Sequence, residues 1–209
     1  MYSATERWTL LGLVLGALGC AQDAELSGSE ADSCFVGDVA KPIEFEVVHR
    51  TADGECLATE ELGEVPLIQP PQGGKVMFVG VRARNLDGCG LTLATALVEP
   101  ETGAVISLER RPVTLELGDN GWMSPERPKE ASNYSNLPAC PRADLTRSIT
   151  GEPYELRVNI TDKEGRKAST SMQVIPTCGE PNRAALCECE CSKDYRLGHQ
   201  CSTNSEASK

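Results

Sequence analysis

The stretch YELRVNITDKEGRKASTSMQVIP, residues 154–176, decides how this chain is read. Side chains of an extended segment alternate between two faces, so Leu156, Val158 and Ile160 fall on one side. Asp162–Gly165 supplies the residues of a turn, and Ala168–Val174 returns. The expectation is a β-hairpin.

Upstream the same period of two recurs. Ile43, Phe45 and Val47 alternate with Glu44 and Glu46, a half-buried strand with one wet face. Lys75–Arg84, KVMFVGVRAR, is a second strand, entered through the turn-rich PPQGG at 70–74. NLDGCG at 85–90 is a turn by composition, Leu91–Val98 is the next strand, and EPETG at 99–103 turns the chain again. Val105–Leu108 and Val113–Leu117 are expected as two short strands. No segment carries a helical apolar stripe of useful length. Short strands punctuated by turns imply an all-β sandwich or barrel.

The hairpin also resembles the closing strand pair of immunoglobulin-like and PKD-type domains. In those folds a tyrosine begins the penultimate strand, a D-x-x-G turn follows, and a valine-rich strand ends the domain. Tyr154, Asp162, Gly165 and Val174 stand at the matching positions. The resemblance covers residues 154–176 and implies an Ig-like β-sandwich over 34–177, with no particular ligand. The core tryptophan of antibody-type domains is missing from 91–98. Between the strands, Gly118–Ile149 shows no convincing pattern and holds Trp122, Tyr134 and Cys140. It is either a crossover stapled by Cys140 with Trp122 as packing anchor, or a loop that contacts a partner through Trp122 and Tyr134.

The amino-terminal end bears on the compartment. LLGLVLGALGC, residues 10–20, is too short to span a bilayer as a helix but suits the apolar region of an export signal. Its end, Ala17-Leu18-Gly19-Cys20, resembles the lipobox of bacterial lipoprotein precursors. That resemblance implies cleavage before Cys20, acylation of Cys20, and a mature chain held to a membrane by its lipid. With Ala21 following, it implies the outer rather than the inner membrane of a bacterial cell envelope. An ordinary secreted protein, cut at a small-x-small site nearby, is the alternative. Residues 1–19 are then the signal, and 20–33 the lipidated cysteine and a small, acidic, flexible tether.

The net charge of −11 leaves no basic footprint for nucleic acid. An aromatic content of 4% disfavours a sugar-binding face of stacked rings. Beyond Cys20 stand Cys34, Cys56, Cys89, Cys140, Cys178, Cys187, Cys189, Cys191 and Cys201. Outside the cytoplasm these are disulfide candidates, and their odd number leaves one thiol over. Five of them crowd into 178–201, a tail too polar to build a core, before a disordered end at 202–209. If Cys187-Glu-Cys189-Glu-Cys191 is extended, its three sulfurs point one way and bridge to other segments. Residues 189–201 also resemble the second half of an EGF-like module. The competing reading is a metal or redox site formed by the C-x-C-x-C cluster with Cys201 and His199.

His49 and His199 sit in no nucleophile or metal-hydrolase motif, and no G-x-S-x-G, H-E-x-x-H or phosphate loop occurs. Asn159-Ile-Thr161 and Asn133-Tyr-Ser135 fit the N-glycosylation pattern, which matters only in a eukaryotic secretory route. The expectation is a non-catalytic, lipid-anchored module without a cofactor, for interaction with an envelope or extracellular protein partner or for structural work at the cell surface. Its alternatives are the metal or redox lipoprotein and a hydrolase with a site in 118–149.

Overall fold

Tyr154–Thr161 and Lys167–Cys178 pair antiparallel from Tyr154↔Val174 to Thr161↔Lys167, the hairpin the alternation predicts. The turn closes as its residues require. Asp162 N–H donates to Arg166 O at 3.0 Å, Gly165 N–H returns to Asp162 O, and Gly165 has φ +82°, open to glycine at no steric cost.

The computed structural model describes residues 34–118, 120–125 and 131–201. The signal, Cys20, the tether to Ser33 and the 202–209 end lie outside the described residues. In chain order the elements are β1 Phe35–Val36, β2 Glu44–Arg50, β3 Cys56–Ala58, β4 Gly63–Leu67 and β5 Lys75–Arg84. Then come β6 Leu86–Asp87, β7 Leu91–Val98, β8 Val105–Val113, β9 Glu116–Leu117 and β10 Met123–Ser124. β11 Ser135–Cys140, β12 Tyr154–Thr161, β13 Lys167–Cys178 and the helix α1 Ala184–Glu190 complete the fold.

Two sheets face each other. One has the order β4-β13-β12-β7-β8, with β4 parallel to β13 and the other neighbours antiparallel. The second is centred on β5, with β2 and β3 on one side and β10, β9 and β11 on the other. Their inner faces supply one core that includes Val47, Met77, Val79 and Leu137 from the second sheet. Leu91, Leu93, Leu97, Leu156 and Ile160 oppose them from the first. The protein is an all-β sandwich with Ig-like strand order.

Tyr154 adds a local mark of that architecture. It is fully buried at the start of β12, and its hydroxyl donates to Ser148 O at 3.2 Å, back across the corner that leads into the strand. Burial pushes its phenol up to about 12, against the lowering effect of Arg147.

Several expectations are corrected. Val105–Leu108 is the start of a longer strand, since β8 runs unbroken through Pro112 to Val113, and of Val113–Leu117 the last two residues form a separate short strand, β9. The proline is tolerated because β8 is an edge strand, where a missing N–H costs no ladder bond. The 118–149 region is not patternless, since β11 pairs with β5 from Ser135↔Val79 to Cys140↔Lys75. Nor is 187–191 extended. It lies at the end of α1, whose apolar face is made by cysteines four residues apart.

Candidate functional site

A lattice of cross-links gathers at the end of the sandwich where β11 and β13 finish. Cys178, the last residue of β13, is bonded to Cys187; Cys140, the last of β11, is bonded to Cys191. Cys187 and Cys191, at i and i+4, both face inward and belong to the core. Cys189, between them, points away and is bonded to Cys201. The expectation that the three sulfurs bridge to other segments holds, but by helical rather than extended geometry. A single C-x-C-x-C metal cluster is not what the chain forms, because each sulfur has its own disulfide partner.

Lys75 explains how the helix seats. Its side chain is 1% exposed, and its ammonium lies 3.0 Å from Glu190 Oε2 of α1 and donates to Gln69 Oε1 at 2.7 Å. A buried ammonium requires such partners, so α1 supplies charge as well as sulfur to this end of the core. Ile149 N–H donates to Cys191 O at 2.9 Å, and Gln69 N–H to Glu180 Oε2 at 2.7 Å. The disulfide-rich tail 178–201 is therefore bonded into the sandwich. At the opposite margin Cys34–Cys89 ties the incoming chain to the turn before β7.

Cys56 is the free cysteine among the described residues. It is half-buried on the edge strand β3, beside a second apolar cluster of Val48, Ile68, Val76, Phe78 and Tyr134 on the outer face of the β5 sheet. Tyr134, expected as a partner contact, has no exposed surface. Gly80 makes room for it, since a Cβ there would meet Tyr134 Cδ1 at 3.0 Å. Burial first, and then the Cys56 thiol, push the Tyr134 phenol above its ordinary range. Trp122 is half-buried, with the Arg84 guanidinium 4.8 Å from its ring centre.

His49 and Ser135 each have hydrogen-bond partners in the interior. His49 Nδ1 bonds Thr59 Oγ1 at 3.0 Å, and burial lowers its pKa. Ser135 is fully buried; its hydroxyl donates to Glu109 Oε2 at 2.6 Å and accepts from Thr95, a polar rivet between the two sheets. His199 lies exposed beyond α1, with its ring edge-on to Tyr195.

Two surfaces remain open. The outer face of the β12–β13 pair presents Arg157, Asn159, Ser169 and Ser171, and beyond β7 Leu108 of the edge strand β8 is 70% exposed. Near the chain entry, a groove of 360 Å³ is lined by Phe35, Val36, Leu115, Leu117 and Met123 among others. No helix among the described residues is long and apolar enough to cross a membrane. Sequence reasoning lacked one signal here: the four-residue spacing of Cys187 and Cys191, which makes a helix face only if cysteine is counted as apolar. No family model, curated protein or solved structure matches this chain.

Proposed function

We propose that the protein is an extracytoplasmic lipoprotein whose Ig-like sandwich serves protein interaction at the cell envelope, without catalysis of its own. The observation that carries the reading is the pairing of eight cysteines into four disulfides, a state that persists in oxidising compartments and is rare in the cytosol. The lipobox-like Ala17–Cys20 supports an acylated Cys20 as anchor, and several acyl chains on one residue give a stable hold. The open outer face of the sheet, from β13 and β12 across β7 to Leu108 on β8, is the surface offered to a partner. The likeness of 189–201 to an EGF-like module adds no function to this reading.

Cell fractionation of the native chain and of Cys20→Ser tests it. The native protein should partition with membranes and carry diacylglycerol on Cys20 by mass spectrometry, whereas the variant should not be acylated. An unmodified Cys20 in a soluble extracellular chain supports the secreted alternative. A photo-crosslinker at Leu108 should capture an envelope protein from intact cells; the same yield after Arg157→Glu would count against the open face.

A further inference from the structure

We propose that Cys189, His199 and Cys201 form a redox-gated binding site for a borderline-soft divalent cation of the zinc type. Oxidised, the site is closed as a disulfide; opened by a dithiol reductant, it offers two thiolates and an imidazole. This goes beyond the interaction reading and does not depend on it.

The geometry is already assembled. One ligand atom from each of the three residues lies within 4.8 Å of the other two. Tetrahedral zinc, with Zn–S of about 2.3 Å and Zn–N of about 2.0 Å, holds such atoms roughly 3.5–3.8 Å apart. Two sulfurs joined at about 2.0 Å reach that separation by side-chain rotation. The Cα atoms, 5.9 Å apart, need not move far. His199 is held near the pair by its backbone: its N–H donates to Arg196 O at 2.9 Å, closing the turn that carries it.

The setting leaves this disulfide more open to a reductant than the two at the core. Cys140, Cys187 and Cys191 are no more than 5% exposed, so the two bonds they form are shielded by the core. Cys189 and Cys201 are half-buried beside an exposed His199, within reach of a small dithiol. Residues 192–200 bury no side chain, so opening their loop leaves the core intact. The other cysteine cluster, Cys34–Asp87–Cys89, lacks this freedom: Asp87 pairs with Lys163 and accepts from Cys89 N–H at 2.9 Å.

The chemistry balances. A dithiol transfers two electrons and two protons to the Cys189–Cys201 bond and becomes a cyclic disulfide. Metal binding then releases the two thiol protons to solvent, while neutral His199 gives its ring lone pair and water completes the tetrahedron.

The test uses the chain from residue 20 onward carrying Cys20→Ser and Cys56→Ser, so that every remaining cysteine starts in a disulfide. Limiting dithiothreitol, alkylation and peptide mass spectrometry should find Cys189 and Cys201 modified together ahead of the other six cysteines. One equivalent of Co²⁺ should then bind the reduced chain and give thiolate-to-cobalt absorption in the near ultraviolet. His199→Ala, a change on an exposed loop, should lower that affinity roughly tenfold or more while the fold is retained. Earlier opening of another disulfide, equal cobalt binding by the oxidised chain, or an affinity unchanged by His199→Ala would each overturn the proposal.

Discussion

The hairpin of β12 and β13 and the segment 179–201 that follows are neighbours in sequence and are held by different physics. The hairpin is fixed by burial and ladder bonds: Tyr154, Leu156, Val158 and Ile160 are fully buried, and the register runs unbroken over eight pairs. Beyond Cys178, the buried residues among 179–201 are Cys187 and Cys191. That segment is placed by covalent bonds, the Lys75–Glu190 ion pair and a few hydrogen bonds to the sandwich, because its side chains cannot make a core. Periodic burial can be seen from local sequence, whereas cross-linking depends on partners far away along the chain.

The largest expected effect breaks the cross-linked side of that contrast. Cys140 and Cys191 close a 51-residue interval, so Cys140→Ala with Cys191→Ala should cost about 4 kcal/mol by loop-closure reasoning, read as a lower midpoint in denaturant. The Cys189→Ala, Cys201→Ala pair should cost less than about 1 kcal/mol. Its loop buries nothing, so folded and unfolded chains gain similar freedom when the bond is lost. Comparable losses from the two double variants would refute the division between core staples and the outer bond.

Leu156→Ala probes the hairpin side and should cost about 3 kcal/mol, the usual range for emptying a buried leucine site. Trp122→Ala should cost about 1 kcal/mol, through loss of half-buried area and of the Arg84 cation–π contact. Partner capture should persist if Trp122 is only a packing anchor, and its loss without loss of stability would restore 118–125 as a contact surface.

The smallest effect is a pH dependence. Burial lowers the pKa of His49 in the folded state, so its contribution is complete above the unfolded value of about 6.5. Stability should decline as pH falls from there toward the folded value, because the unfolded chain then binds the extra proton. Denaturant titrations between about pH 7 and 5 should show this slope, and His49→Asn should reduce it.

The strands at 75–84 and 91–98 and the hairpin were legible because each alternates or runs apolar between turn residues. β4 and β11 were not: Pro66 and Pro138 interrupt them, and they flank the sheets where proline does no harm. Helix α1 carries no legible signal because Ala184-Ala-Leu-Cys-Glu-Cys-Glu has little apolar surface apart from its sulfur. Of the residues chosen as sites, the cysteines could be named but not paired, since nine of them do not determine a connectivity. Tyr134 looked like a contact residue because nothing in the local sequence tells of Gly80 leaving space for its ring.

Non-reducing peptide mass spectrometry of the native mature chain, digested at acidic pH to block exchange, tests the central claim most directly. The account predicts Cys34–Cys89, Cys140–Cys191, Cys178–Cys187 and Cys189–Cys201, with Cys56 as a thiol. Recovery of Cys140 and Cys191 as free thiols, or of Cys187, Cys189 and Cys191 reduced together, would contradict it.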